Sequence, residues 1–140
     1  MRWLVVGMLV ACSHPPPPPP VVAQKPVHAL GDLAGSWSTS DDMDWGYLLE
    51  IKPDGDFHLT IDRGKLGRCF FHATPVQATA APIYEMEVAL DECHRDRAAG
   101  PVHIAVPSFT GTEATIEIHD ADHVDKRTYR KLNGAASTPG

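Results

Sequence analysis

Basic residues are scarce in this chain: 12 Lys and Arg stand against 18 Asp and Glu, and the formal net charge is −6. Nucleic-acid binding needs clustered Lys and Arg to neutralise phosphates, so this balance argues against a nucleic-acid partner. Long apolar runs are lacking too. The run over residues 3–11 is far too short to cross a bilayer as a helix.

Patterns typical of catalytic sites are also missing. The sequence contains no Gly-x-Ser-x-Gly, no His-Glu-x-x-His and no phosphate-binding glycine loop. We therefore expect no enzyme activity and no cofactor. The polar segment His119-Asp120-Ala121-Asp122-His123 has side chains that suit a divalent ion, but it lacks the helical spacing that would align them. We interpret it as a turn and predict no metal site.

The beginning of the chain has the character of an export signal. Arg2 precedes the apolar run, and small residues follow it. The next residues, Leu9-Val10-Ala11-Cys12, resemble the lipobox of bacterial lipoproteins, in which the cysteine is acylated and starts the mature protein. The resemblance implies a signal peptide over residues 1–11 and a palmitate-type lipid anchor on Cys12. The alternative is an uncleaved apolar anchor with an unmodified Cys12.

A lipid anchor places the protein in the bacterial cell envelope, with the membrane as its first partner. Ser13 stands where lipoproteins of the enterobacterial type carry Asp for inner-membrane retention, which favours the outer membrane.

The segment over residues 12–29 is expected to be a tether. It contains an unbroken run of six prolines at positions 15–20, which as polyproline II spans about 19 Å and acts as a stiff spacer. The alternative is a ligand for a proline-recognition domain.

Beyond the tether, apolar residues recur at every second position, the period of a half-buried strand. Two alternating runs, 45–51 and 57–61, flank the turn Pro53-Asp54-Gly55-Asp56 and predict a hairpin. A first strand over 33–38 and a last one over about 125–132 bring the count to eight. Among the exposed positions, His58, His103 and His119 fall opposite apolar faces and are expected to point outward.

We therefore predict an all-β domain over residues 30–133, followed by a flexible tail over 134–140. Eight antiparallel strands lose their free edges by closing into an up-and-down barrel. A two-sheet β-sandwich is the alternative, since periodicity does not separate the two.

Cys69 and Cys93 are the cysteines that remain beside Cys12. An even pair in an exported domain predicts a disulfide. Metal ligation and a reactive thiol are the alternatives, although the chain has no Cys-x-x-Cys.

The first and last strands carry a resemblance to the calycin superfamily, and to bacterial lipocalin-like domains in particular. The first strand contains Gly35-Ser36-Trp37, and the last contains Arg127-Thr128-Tyr129-Arg130-Lys131-Leu132. In lipocalin-like barrels a Gly-x-Trp opens the first strand and a cation of the last strand packs on the indole. The resemblance therefore implies that Gly35, Trp37 and Arg130 close the barrel, with Arg130 preferred over Arg127 because it shares a face with Leu132.

The lipocalin resemblance implies a binding protein whose barrel holds a small apolar ligand. The alternating residues expected to line such a cavity are Trp45, Tyr47, Leu49, Phe57, Leu59, Ile61, Met86, Val88, Ile104 and Ile116. The same residues would form the core of a filled barrel. The alternative is therefore a protein-interaction module, an envelope inhibitor or assembly accessory, that contacts its partner through exposed loop residues around 41–45 or 91–100.

Overall fold

The structure is a computed structural model that describes residues 16–17, 22–76, 82–93, 101–121 and 123–132. The predicted signal peptide, the lipidation site Cys12, most of the proline run and the predicted tail lie outside the described residues. No helix among the described residues is long and apolar enough to cross a membrane.

Eight strands make up the domain, with short 3-10 turns at Leu30–Leu33 and Gly64–Leu66. The strands are β1 (Gly35–Ser40), β2 (Gly46–Ile51), β3 (Phe57–Asp62), β4 (Arg68–Pro75), β5 (Ile83–Asp91), β6 (Val102–Phe109), β7 (Glu113–His119) and β8 (Val124–Lys131). The prediction of an all-β domain with eight strands is confirmed.

Each strand pairs antiparallel with its sequence neighbours, and β1 pairs with β8 to close the sheet. The result is a closed up-and-down barrel, as predicted, and not a two-sheet sandwich. Its architecture is compatible with a lipocalin-like fold. The closing seam is short: Trp37 pairs with Lys131 and Ser38 with Arg130. Beyond these pairs, towards Ser40 and Thr128, a cleft of about 570 Å³ opens on the outside of the barrel.

The hairpin of β2 and β3 shows how local chemistry sets the register. Gly55 adopts φ +91°, a conformation that an L side chain rarely takes. The Asp54 carboxylate accepts a hydrogen bond from the Asp56 backbone N–H at 3.0 Å, and the Lys52 N–H donates to the Asp56 carbonyl at 2.9 Å. These bonds hold the turn and align Ile51 with Phe57.

Alternate residues of all eight strands point inward and form one hydrophobic core. Trp37, Phe57 and Phe71 are among its largest fully buried side chains. The core explains why the period of two is so clear in the sequence, because each strand has one face in the barrel and one in solvent.

The barrel end where β1 begins and β8 ends, here called the tether end, is covered by the 3-10 turn Leu30–Leu33. Leu30 and Leu33 are buried, and the Trp37 Nε1–H donates to the Leu33 carbonyl at 2.9 Å. The chain before this turn is also attached: the Gln24 side chain accepts a hydrogen bond from the Phe109 N–H, 3.0 Å, and the Lys25 N–H donates to the Phe109 carbonyl, 2.6 Å. The last part of the predicted tether thus lies against β6.

Candidate functional site

The side chains predicted to line a ligand cavity lie in the core of the barrel. Trp45 and Val88 are half-buried and pack against the core. The other residues predicted for the lining are buried: Tyr47, Leu49, Phe57, Leu59, Ile61, Met86, Ile104 and Ile116.

Aromatic rings from different walls meet inside the barrel. Trp37 of β1 contacts Phe109 of β6 edge-to-face, with 6.1 Å between ring centroids. Phe57 of β3 contacts Phe71 of β4 in the same manner at 6.1 Å. Because β1 and β6 are not neighbours in the sheet, the Trp37–Phe109 contact spans the interior. Near the tether end the barrel is therefore filled by its own side chains.

The cation on the Trp37 indole is Lys131, and the prediction of Arg130 was wrong. Lys131 Nζ lies 5.6 Å from the ring centroid. Arg130 points outward, with 82% of its side chain exposed, and lies 3.3 Å from a Glu113 carboxylate oxygen. The reason is the register of β8: Tyr129 points inward, and Lys131, on the same face of the strand at its exposed end, reaches the Trp37 ring.

Gly35 leaves space for the side chain of the same lysine. Its φ is +140°, and a Cβ built there would lie 3.0 Å from Lys131 Cε. A side chain at position 35 would therefore disturb the lysine that covers Trp37.

The opposite end of the barrel, here called the far end, carries a set of polar contacts. Arg127 lies over the Tyr47 ring at 3.8 Å and pairs with the Asp125 carboxylate at 3.1 Å. The Tyr47 hydroxyl donates to Asp41 Oδ2 at 2.8 Å. Burial and this hydrogen bond to Asp41 raise the pKa of Tyr47 to about 12. The charges of Arg127, Asp125 and Asp41 therefore all have partners within this group at the far end.

The predicted disulfide is present between Cys69 and Cys93. Cys69 lies on β4 and is buried, and Cys93 lies two residues after the end of β5. The bond fixes the segment after β5 to the barrel wall at the far end.

Three potential metal ligands meet on the outer wall where β3 begins. Asp56 ends the hairpin turn, His58 lies on β3, and His72 is the cross-strand partner of His58 on β4. The two imidazole rings stack with centroids 3.9 Å apart and planes inclined by 20°. His58 Nε2 and His72 Nε2 approach the same Asp56 Oδ2, at 3.5 and 3.3 Å. We call these three residues the Asp–His–His cluster.

Burial raises the pKa of the Asp56 carboxyl, but its contacts with His72 and His58 outweigh burial, and the net shift is downward. Asp56 is therefore held as a carboxylate between the two imidazoles. Among the residues that the structure describes, this cluster alone brings three His, Cys, Asp or Glu ligand atoms within 4.8 Å of one another.

The sequence predicted that His58 points outward, but the cluster itself was missed. The available signal was the Asp-x-His spacing at the start of β3, which places both side chains near one turn. The partnership with His72 depends on the register of β3 against β4, which alternation alone does not give.

A second cross-strand histidine pair lies on the other side of the barrel. His103 of β6 is opposite His119 of β7, and His119 Nε2 lies 3.6 Å from Glu117 Oε1. Within the described part of the chain, His103 and His119 belong to no group of three ligand atoms that all lie within 4.8 Å of one another. In the neighbouring polar turn, Asp120 Oδ1 accepts a hydrogen bond from the His123 N–H at 2.8 Å.

Exposed apolar side chains gather on the outer wall of β2, β4 and β5. Leu48 and Phe70 flank Thr60 in one cross-strand row, and they are 47% and 44% exposed. Leu90 is the cross-strand partner of His72 in the neighbouring row and is 45% exposed. Beside Leu48 lies a shallow groove of about 310 Å³. We call the exposed side chains of Leu48, Phe70 and Leu90, together with Thr60 between the first two, the outer apolar row, although Leu90 belongs to the adjacent cross-strand row.

Comparisons with protein-family models, with curated proteins and with solved structures find no match for this chain. Its function is therefore inferred from its own residues and geometry.

Proposed function

We propose that this chain is a lipid-anchored protein of the bacterial cell envelope that binds another envelope protein through the outer wall of its barrel. The observation that carries the proposal is the Trp37–Phe109 contact across the interior. These rings take up the space that a ligand would need near the tether end, and this supports assigning binding to the outside of the barrel.

The outer apolar row supports the choice of a protein as the partner. Leu48, Phe70 and Leu90 expose apolar surface on adjacent strands, whereas most outward positions of such a wall are polar. Aromatic and aliphatic side chains in a group are the usual anchors of protein interfaces.

The anchor is proposed from the lipobox-like residues Leu9-Val10-Ala11-Cys12, and the outer membrane from Ser13. A stiff proline run between anchor and barrel suits a domain that must reach a partner away from the membrane surface. The lipocalin-like carrier, with a small apolar ligand among Tyr47, Leu49 and their neighbours, is the competing function.

The experiment begins in cells that express the full chain. Labelled palmitate is expected to enter the wild-type protein and to be absent from Cys12→Ser, while Cys69→Ser remains labelled. A photo-crosslinking amino acid is then placed at Leu48 or Phe70, with the outward-facing Thr128 on the opposite wall as the control position.

We expect one discrete cross-linked product of defined size from positions 48 and 70 and none from position 128. The same product from all positions would contradict an interface on this wall. A bound mass of a few hundred daltons that native mass spectrometry finds on the purified protein, lost on denaturation, would support the carrier function instead. If both Cys12→Ser and Cys69→Ser lost palmitate labelling, the experiment would no longer support Cys12 as the lipidated residue.

A further inference from the structure

We propose that the Asp–His–His cluster binds one divalent transition-metal ion of the zinc type on the outer wall of the barrel. The ligands are a carboxylate oxygen of Asp56 and the Nε2 atoms of His58 and His72. This inference does not depend on the proposed function.

Rigid backbone positions all three ligands. His58 and His72 are direct partners in the β3–β4 ladder, so their Cα atoms are held at a fixed spacing. Asp56 belongs to the hairpin turn, whose hydrogen bonds join Lys52 to Asp56 and Asp54 to Asp56. Because no loop needs to be ordered, the chain loses little entropy when an ion binds.

The distances between the ligand atoms match a tetrahedral ion. With metal–ligand bonds of about 2.0–2.1 Å, neighbouring ligands of tetrahedral zinc are about 3.3 Å apart. The two Nε2 atoms lie 3.3 and 3.5 Å from Asp56 Oδ2. Both histidine-to-carboxylate separations therefore fit one ion, and since the ligand atoms of the cluster all lie within 4.8 Å of one another, small side-chain rotations bring all three to it.

His58 gives a second, independent indication. Its Nε2 atom is buried, and it makes no hydrogen bond of acceptable geometry. A buried imidazole nitrogen without a partner is unfavourable, and an ion bridging it to Asp56 satisfies it. The rings stack face to face, and this arrangement brings both Nε2 atoms close to the same carboxylate oxygen of Asp56.

The ligand types select the class of ion. Two imidazoles with one carboxylate suit zinc and its first-row neighbours, whereas calcium and magnesium prefer sites made wholly of oxygen. Three protein ligands leave a fourth position for water or a group from a partner. The side chains of His58 and His72 are 37% and 30% exposed, so the cluster lies near the protein surface, within reach of an ion from solvent.

The test uses the full chain, purified in mild detergent without a polyhistidine tag and freed of metal by a chelator. Titration calorimetry with zinc chloride is expected to show a site of one ion per chain. Cobalt chloride added to the same protein is expected to give the visible absorption of a four-coordinate cobalt site. Magnesium and calcium chloride serve as probes that should not bind.

The variants are His58→Gln and His72→Gln, with His103→Gln and His119→Gln as matched controls from the second cross-strand pair. We expect each cluster variant to weaken zinc binding roughly 100-fold and to abolish the cobalt spectrum, while both controls keep wild-type values. Urea unfolding in metal-free buffer verifies that every variant is folded.

Unchanged zinc affinity in His58→Gln and His72→Gln would overturn the site, as would an equal loss in the controls. Absence of zinc binding by the wild-type protein would overturn it too. Because the measurement uses purified protein and metal alone, its result is separate from the cross-linking result on the proposed partner.

Discussion

At the scale of single residues, one lysine contributes to stability at the tether end of the barrel. Lys131 covers the buried Trp37 ring, and Gly35 leaves room for it. A cation on an indole face contributes about 0.5 kcal/mol at an exposed site. Arg130, one position earlier, points into solvent beside Glu113 and makes no comparable contact with the core.

We therefore predict that Lys131→Ala lowers the free energy of unfolding by about 0.5–1 kcal/mol, whereas Arg130→Ala changes it by less than about 0.5 kcal/mol. Urea titration followed by tryptophan fluorescence measures both variants under the same conditions. A larger loss in Arg130→Ala than in Lys131→Ala would contradict the placement of the lysine on the ring.

The tyrosines lead to a second prediction at this scale. Burial is the main cause that raises the pKa of Tyr84 and Tyr129, and burial with the hydrogen bond to Asp41 raises that of Tyr47 to about 12. Unfolded tyrosine loses its proton near pH 10. A raised pKa in the folded state means that stability is fully present below pH 10 and is lost as pH rises towards 12.

We expect the free energy of unfolding to fall steadily between pH 10 and pH 12, and to fall less steeply in Tyr47→Phe. Urea unfolding at a series of alkaline pH values measures the slope. An identical slope in Tyr47→Phe would mean that this phenol ionises equally in both states.

At the scale of elements, the 3-10 turn Leu30–Leu33 has a tight fit against the β2–β3 hairpin. A Cβ at Gly31 would overlap the backbone carbonyl of Pro53, which side-chain rotation cannot relieve. Gly46, at the start of β2, offers a contrast, because the nearest atom to its Cβ would be Asp62 Cβ at 3.9 Å.

We predict that Gly31→Ala lowers the free energy of unfolding by about 2 kcal/mol, since the turn must move away from the hairpin. Gly46→Ala is expected to leave the free energy of unfolding unchanged or to raise it slightly, because Gly is unfavourable within strands. Thermal unfolding of the two variants provides the comparison. Equal melting temperatures would show that the turn is not seated on the hairpin.

The strands also show which features could be predicted from the sequence and which could not. Alternation from Tyr47 to Ile61 indicated both strands and their turn, because each side chain reports its own burial. Cys69 and Cys93 were paired by elimination. Lys131 on Trp37 and His72 beside His58 depended on register between strands, and a shift of one residue there reverses which face is inside.

At the scale of the whole molecule, strands that each carry one apolar face suit both a barrel and a sandwich, and this chain closes them into an up-and-down barrel. Closure removes the edges that an open sheet of eight strands would leave. The same topology brings both ends of the domain to the tether end, since β1 starts and β8 finishes there. The far end, with the disulfide and the Arg127–Tyr47 contact, is the end turned away from the tether.

The short seam between β1 and β8 affects how the barrel closes and opens. Every other pairing joins strands adjacent in sequence, whereas this one joins the first strand to the last and so carries the largest loop-closure entropy. Its register contains just the pairs Trp37–Lys131 and Ser38–Arg130. Because this seam has the fewest ladder pairs, we expect the barrel to open there first, which frees two strand edges able to hydrogen-bond to a second chain. At high protein concentration, this seam is where exchange of strands between neighbouring copies would begin.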